Sequence, residues 1–189
     1  MSKSKNLHIL AESAVCVGVA VVLSMITLFT MPLGGSVTPF AILPIITVSL
    51  RHGTKWGIAT ALVYSLTQLM LGMANVLAVP VKNLQSIVLC AALDYVLAYT
   101  IIGFTGLITR RYQNKRVGLC VGVCVTGFGR LFCSFVSGVI IWAQYAPEGW
   151  NVALYSLAYN ALWCVPDTVI VLAMCLALSR VRVLSLLPT

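Results

Sequence analysis

Charged residues are scarce in this chain, and acidic residues are the scarcest of all. Only 8% of the 189 residues are charged, and Asp and Glu together number 4. A soluble domain carries about a quarter charged residues, so this composition excludes a soluble globular fold. Hydrophobic residues make up 60% of the chain instead. The composition therefore predicts an integral membrane protein that lies in a lipid bilayer.

The sequence also lacks the short motifs that catalysis and ATP use require. There is no G-x-x-x-x-G-K-[ST] phosphate loop, so the chain is not expected to drive a process with ATP by itself. Neither H-E-x-x-H nor G-x-S-x-G occurs, and the two histidines, His8 and His52, lie far apart. We therefore expect no enzyme activity, no catalytic residue and no cofactor.

Metal binding and disulfides are not indicated either. The 7 cysteines all fall inside apolar segments. Cys120 and Cys124 are spaced like a metal pair on a helix, but no histidine or second pair joins them. Buried cysteines of this kind behave as small hydrophobic side chains, so no metal site is expected.

Long apolar runs are what the sequence does contain. A helix needs about 20 apolar residues to cross a bilayer, and the runs predict an all-α bundle of six transmembrane helices in one domain over residues 1–189. The helices are expected at about residues 8–31, 40–50, 56–73, 86–109, 117–144 and 152–179. The second is too short to span unaided and follows a break with proline and paired glycine. Broken segments of this kind often border substrate sites in transport proteins.

The basic residues are distributed unevenly between the two ends of such a bundle. With six spans, only Lys82 falls on one side. The other side receives Lys3, Lys5, Arg51, Lys55, Arg110, Arg111, Lys115, Arg116, Arg180 and Arg182. Because cytoplasmic loops carry an excess of Lys and Arg, both termini are predicted to be cytoplasmic. The net charge of +8 thus reflects topology, and no nucleic-acid partner is expected.

Polar residues inside the apolar runs are concentrated between Arg130 and Asp167. Such residues are costly in a bilayer unless they face protein or a cavity, which makes them candidates for a functional site. Arg130, Ser134, Gly138 and Trp142 recur at four-residue steps and so share one helical face. A flat heterocycle could lie against Gly138 and stack on Trp142. The alternative is helix packing at Gly138 and an interfacial role for Trp142.

The sixth predicted helix carries Asn160, Trp163 and Asp167 on one face. Tyr155 lies five residues before Asn160, so the two share a direction only if one of them stands at the helix entrance. Arg130 is the only cation at the depth of Asp167. We predict a structural ion pair between Arg130 and either Asp167 or Asp94.

The fourth predicted helix contains the adjacent pair Asp94 and Tyr95. An aspartate in a dry cavity attracts a cationic ligand, and aromatic neighbours add cation–π attraction for that ligand. The alternative is the internal ion pair with Arg130. Taken with the aromatic residues, this acid favours a small, cationic, ring-bearing ligand.

Several motifs in the chain are similar to those of a known family. They are G-G-S-V-T-P (34–39), S-L-R-H-G (49–53), L-D-Y (93–95), S-G-V-I-I-W-A-Q-Y-A-P-E-G-W (137–150), Y-S-L-A-Y-N (155–160) and P-D (166–167). On these motifs the chain resembles the substrate-binding (S) component of energy-coupling factor (ECF) vitamin transporters, most closely the thiamine-specific branch. The resemblance covers most of the chain and is most specific in its last third.

The resemblance implies a function and a set of site residues. It implies a six-helix, multi-pass protein of the cell membrane that binds thiamine with high affinity in a pocket near the outer face, closed by the first loop. The residues that it implies for binding are Asp94, Tyr95, Ser134, Gly138, Trp142, Tyr155 and Asn160. The small-residue motif that docks on a transmembrane coupling subunit falls on Ala14 and Gly18. Two cytoplasmic ATPases would complete the importer.

The chain departs from the family pattern at several positions. Ser134 stands where thiamine-specific relatives usually have histidine, Asp94 stands where some have glutamate, and the connection over residues 76–85 is longer than expected. Serine carries no charge, so one hydrogen bond to a ligand would be lost or made through water. A different vitamin or a thiamine precursor stays open as the ligand. A self-sufficient small membrane carrier and a structural or assembly protein stay open as other classes.

Overall fold

The computed structural model describes residues 3–180, so that Arg182 lies outside the described residues. This part of the chain is almost entirely helical. In chain order the helices are α1 (Lys3–Ser24), α2 (Leu43–His52), α3 (Thr54–Leu71), α4 (Met73–Leu77), α5 (Leu84–Arg110), α6 (Lys115–Ile140) and α7 (Val152–Arg180). A two-residue antiparallel pair, β1 (Phe29–Thr30) and β2 (Ser36–Val37), lies between α1 and α2.

Long apolar helices make the described chain a membrane protein. Four of its helices are long and apolar enough to cross a bilayer, namely Ser4–Ser24, Leu84–Arg110, Lys115–Ile140 and Val152–Ser179. Large apolar side chains such as Phe128, Phe132 and Val169 point outwards from these helices, as contact with lipid requires. The expected all-α membrane fold is therefore confirmed.

Helices α1 and α6 end before the predicted residues 31 and 144, and both of these ends lie at one end of the bundle. Helix α1 ends at Ser24, and residues 25–42, here called the hairpin loop, connect it to α2. Phe29 and Thr30, which were predicted to be helical, pair with β2 instead, and Gly34 and Gly35 turn the chain at φ of 97° and 87°. Helix α6 ends at Ile140, which places Trp142 in the turn towards α7.

The chain runs back and forth between two ends, here called the loop end and the basic end. The loop end holds the hairpin loop and the α6–α7 turn. At the basic end, Glu12 of α1 binds Arg51 and His52, with 2.8 Å to the His52 ring. Arg110 at the end of α5 donates a hydrogen bond to the Leu50 carbonyl over 3.2 Å. These bonds tie α1, α2 and α5 together at the basic end.

The core lies between the helices towards the basic end. Fully buried apolar side chains of α2 and α3, among them Ile45, Ile46 and Tyr64, pack against residues of α1, α5, α6 and α7. Tyr64 meets the Tyr99 ring edge to face with centroids 5.4 Å apart. This packed layer forms a floor, and the bundle opens above it towards the loop end.

Candidate ligand-binding site

A cavity of about 470 Å³ occupies the loop end of the bundle. Its wall is formed by the hairpin loop, the ends of α1 and α3, the middle of α5, the second half of α6 and the first half of α7. The volume lies in the range of small-molecule sites, about 300–1,000 Å³. The structure brings all of the predicted binding residues to this one wall: Asp94, Tyr95, Ser134, Gly138, Trp142, Tyr155 and Asn160.

Asp94 and Tyr95 reach the cavity from a distorted stretch of α5. Residues Ala91–Leu97 form a π-helix, in which the wider turn changes the direction of successive side chains. The Asp94 carboxylate accepts a hydrogen bond from the Ser137 hydroxyl at 2.5 Å and lies 3.5 Å from the Cys90 thiol. The Tyr95 hydroxyl donates to the Gly72 carbonyl over 3.2 Å. These bonds hold the carboxylate and the ring on the wall.

Arg130 pairs with Asp167 and not with Asp94. The Arg130 Nη1 atom lies 2.6 Å from the Asp167 carboxylate, and both side chains are buried, with exposed fractions of 3% and 0%. The guanidinium lies over the rings of Tyr99 and Trp163, at 4.7 Å and 4.9 Å from their centroids. Aromatic faces attract a cation in this arrangement. Of the two predicted ion-pair partners for Arg130, the structure selects Asp167.

The charge balance of the wall follows from this pairing. Asp94 and Arg130 are the charged side chains among the described lining residues. Because Asp167 compensates Arg130, Asp94 is left as the net charge of the cavity. Arg130 lies eight residues below Gly138 on α6, about 12 Å deeper, so the ion pair belongs to the floor. The upper part of the cavity therefore presents a single carboxylate.

Gly138 and Asn160 hold α6 and α7 together beside the cavity. A Cβ atom at position 138 would lie 3.0 Å from the Ser156 Cβ and 3.2 Å from the Asn160 Nδ2, so only glycine lets the helices approach this closely. The Asn160 amide donates to the carbonyls of Ser134 and Ser156, at 3.2 Å and 2.9 Å. Both Asn160 donors are thus occupied within the protein. Gly138 therefore has both of the roles considered from the sequence: it allows close helix packing and it lines the cavity.

Aromatic side chains form the upper wall. Trp142 follows the end of α6, and its ring lies 5.9 Å from that of Tyr145. Tyr155 lies in the first turn of α7 and contacts Tyr159 with ring centroids 6.0 Å apart. Tyr155 is already inside the helix, because its amide donates to the Asn151 carbonyl at 3.0 Å, so neither Tyr155 nor Asn160 stands outside the helix as expected. Both line the cavity because α7 turns a broad face towards it, which also carries Ser156, Tyr159 and Trp163. The rings provide flat surfaces on which a heterocycle could stack.

Some residues of the wall were not among the predicted binding residues. Leu33, Gly34, Gly35, Ser36 and Thr38 of the hairpin loop line the cavity, together with Tyr99, Tyr159 and Trp163. The loop residues have no chemical signature of a binding site, because they contribute mostly backbone. The four-residue spacing of Tyr159, Trp163 and Asp167 was the signal that could have predicted a second row of site residues on α7.

The two predicted docking residues lie away from the cavity. Ala14 and Gly18 face outwards from α1, and a Cβ atom added at Gly18 would meet nothing within 4 Å. This side of α1 is thus an open surface of small residues. Another membrane helix could approach it closely.

The fold and the cavity define a helical membrane protein that encloses a site for a small molecule. Comparison with known proteins gives the family. Residues 10–185 match the family described as Thiamine transporter protein (Thia_YuaJ), and the chain belongs to this family. The resemblance seen in the sequence is confirmed at this level.

Individual relatives agree with this assignment. The chain is 32% identical to "Thiamine transporter ThiT" of Bacillus subtilis (strain 168) over 182 residues, which cover 90% of this chain and 89% of the relative. It is 28% identical to "Thiamine transporter ThiT" of Lacticaseibacillus paracasei over 194 residues, with coverage of 95% and 92%. Both relatives are named as transporters, so the predicted role in transport rather than catalysis is confirmed.

A solved structure shares the fold. The structure of ThiT from Listeria monocytogenes superposes with a TM-score of 0.76 at 24% sequence identity, and covers 97% of this chain and 100% of that chain. The two chains therefore share one overall fold.

Proposed function

We propose that this chain is the thiamine-binding membrane subunit of an ATP-driven ECF importer in the cell membrane. The single observation that carries the proposal is the lone, uncompensated carboxylate of Asp94 in an aromatic-walled cavity. Thiamine carries a positive charge on its thiazolium ring and joins it to a flat aminopyrimidine ring. The cavity offers one negative charge for the cation and aromatic faces for the rings.

The departures from the family pattern are consistent with this ligand. Ser134, in place of the family's usual histidine, is buried on the wall and its carbonyl accepts a hydrogen bond from Asn160. Its hydroxyl can still donate or accept one hydrogen bond. Asp94 is one methylene shorter than glutamate, and Ser137 holds its carboxylate in place. A water molecule in the space left by the missing imidazole would complete the contacts.

The arrangement of the bundle supports an importer subunit with both termini in the cytoplasm. The basic residues Arg51 and Arg110 lie at the basic end, whereas the cavity opens towards the loop end. With the basic end in the cytoplasm, six transmembrane helices form one substrate-binding domain over residues 1–189 that accepts its ligand from outside. The hairpin loop then closes the pocket at its outer face.

The partners in this proposal are a transmembrane coupling subunit and two cytoplasmic ATPases. The chain carries no phosphate loop of its own, so energy has to come from other subunits. The open small-residue surface at Ala14 and Gly18 would receive the coupling subunit. Uptake by this chain alone in proteoliposomes without an ATPase would favour a self-sufficient carrier instead.

Titration of the purified protein with thiamine, followed by intrinsic tryptophan fluorescence, tests the proposal. We expect saturable quenching at nanomolar to low-micromolar thiamine, because Trp142 lies on the cavity wall. In a Trp142→Phe variant most of the quenching should disappear, and equilibrium dialysis with labelled thiamine then shows how much binding is left. A flat titration together with no binding in dialysis would exclude thiamine. Other vitamins and the separate pyrimidine and thiazole halves would then be titrated.

A further inference from the structure

Helix α7 contacts the hairpin loop through three side chains on one face. Tyr159, Trp163 and Asp167 follow one another at four-residue steps, so they form a row along the helix. Each of them touches a different part of the loop, from its tip to the end of β2. The loop is separated from these residues by more than 120 positions in the sequence.

Tyr159 holds the tip of the loop through backbone groups. Its hydroxyl accepts a hydrogen bond from the Leu33 amide at 2.8 Å and donates one to the Gly34 carbonyl at 3.1 Å. One side chain thus replaces the water that would otherwise hydrate both groups. A displaced loop tip would lose both bonds together.

Trp163 supports the loop one residue further on. Gly35 lies so close to the indole that a Cβ atom at this position would be 2.5 Å from Trp163 Nε1. Gly35 also has a φ of 87°, which disfavours any side chain. The Arg130 guanidinium lies over this indole ring, 4.9 Å from the ring centroid. The loop therefore rests on a ring that also contacts the buried ion pair.

Asp167 joins the end of the loop to the floor of the cavity. Its Oδ1 accepts a hydrogen bond from the Thr38 amide at 3.0 Å, and its Oδ2 receives Arg130 Nη1 at 2.6 Å. The carboxylate is fully buried, so loss of either partner would leave a desolvated charge less well compensated. The same ion pair that neutralises the cavity floor thereby fixes the loop just after β2.

We infer that Tyr159, Trp163 and Asp167 are positioning residues that hold the hairpin loop over the cavity and set how slowly a bound ligand leaves. The loop residues that they contact, Leu33, Gly34, Gly35 and Thr38, also line the cavity. A ligand that leaves past the loop has to wait until these contacts open. The part of this inference that concerns the ligand rests on the proposed function, whereas the part that concerns the loop does not.

Hydrogen–deuterium exchange of the ligand-free protein tests the loop contacts. In a Tyr159→Phe variant the ring remains but the bonds to Leu33 and Gly34 are lost. We expect faster amide exchange in peptides that cover residues 28–38, with unchanged exchange in α5 and α6. Tyr112→Phe is the matched control, because Tyr112 lies in the turn between α5 and α6 at the basic end. Equal exchange of the loop in wild type and Tyr159→Phe would overturn the inference.

Stopped-flow fluorescence with thiamine tests the consequence for release. Two lost hydrogen bonds should raise the dissociation rate of thiamine about 5- to 30-fold, with the association rate within about twofold of wild type. Gly35→Ala, which displaces the loop from its own side, should have the same effect. An unchanged dissociation rate in both variants, or a loss confined to the association rate, would overturn the inference. If wild-type protein binds no thiamine, the proposed function fails, and the exchange experiment still decides the loop contacts.

Discussion

Asp94 and Arg130 both line the cavity, but only the charge of Arg130 is compensated by another side chain. Arg130 is neutralised by Asp167 and enclosed by two aromatic rings, so its charge is used within the protein. Asp94 receives a hydroxyl hydrogen bond and has no basic partner in the described part of the chain. A cationic ligand can therefore supply the counter-charge that the protein does not.

Replacement of Asp94 by asparagine tests this assignment, since it removes the charge and keeps the size of the side chain. We expect thiamine binding to weaken by about 2–5 kcal/mol, as when one partner of a buried charge pair is truncated. Isothermal titration calorimetry measures the change. Glu148→Gln is the matched control, because Glu148 is exposed in the α6–α7 turn. Unchanged affinity in Asp94→Asn would remove Asp94 from the site.

The buried ion pair between Arg130 and Asp167 is expected to contribute to the free energy of unfolding. Asp167→Asn leaves Arg130 without its counter-charge, and we expect a loss of about 3–5 kcal/mol in the free energy of unfolding. Thermal unfolding in detergent should show a clearly lower midpoint. In the double variant Arg130→Gln with Asp167→Asn neither charge of the pair remains, so part of the stability should return. A double variant less stable than Asp167→Asn would contradict the pairing.

At the scale of elements, the contact between α6 and α7 shapes the cavity. Gly138 lets Ser156 and Asn160 approach α6, and the Ser156 hydroxyl donates to the Phe135 carbonyl over 2.8 Å. The two helices are thus joined along one side of the cavity wall. Any side chain at position 138 has to push them apart.

Gly138→Ala measures how tight this contact is. The added methyl group would overpack the interface, which typically costs about 1–3 kcal/mol of stability, and it should also weaken thiamine binding. Thermal unfolding and calorimetry of the same samples report the two effects. The Ser156 hydroxyl oxygen is the atom closest to the added methyl group. Ser156→Ala in the Gly138→Ala background removes this oxygen, so the double variant should be more stable than Gly138→Ala. Gly18→Ala has open space around it, so it should leave thiamine binding unchanged and should not lower the stability.

Much of this fold could be predicted from apolar runs and helical spacing. The runs identified the long helices, and the intramembrane polar residues identified the wall that α5, α6 and α7 contribute. The π-helical stretch around Asp94 could not be predicted, because nothing in the spacing of Ala91–Leu97 marks a wider turn. The hairpin was missed for a similar reason: strands of two residues have no measurable alternation.

The missed part of the site has a common physical cause. Leu33, Gly34 and Thr38 enter the wall through backbone groups whose partners, Tyr159 and Asp167, lie at the far end of the sequence. Side-chain chemistry is visible in a sequence, whereas a backbone amide is the same at every position. Nothing in the sequence around Tyr159 indicates that its hydroxyl binds the loop backbone.

At the scale of the whole molecule, the docking surface proposed on α1 can be tested separately from ligand binding, because Ala14 and Gly18 lie away from the cavity. We expect Gly18→Leu to bind thiamine like wild type in isolation and to abolish uptake by the complete complex, because a large side chain blocks close helix approach. Calorimetry and uptake of labelled thiamine by proteoliposomes give the two readouts. Phe132→Leu on the outer face of α6 is the control, and its uptake should be normal. Normal uptake by Gly18→Leu would place the docking surface elsewhere.

The four acidic side chains of this chain occupy four separate environments. Glu12 lies among basic residues, Asp94 on the cavity wall, Glu148 in an exposed turn and Asp167 in a buried ion pair. An infrared difference spectrum recorded upon addition of ligand would therefore contain few overlapping carboxyl bands. Four single amide variants would suffice to assign every one of them, and each carboxyl group could then be observed vibrationally without any attached label.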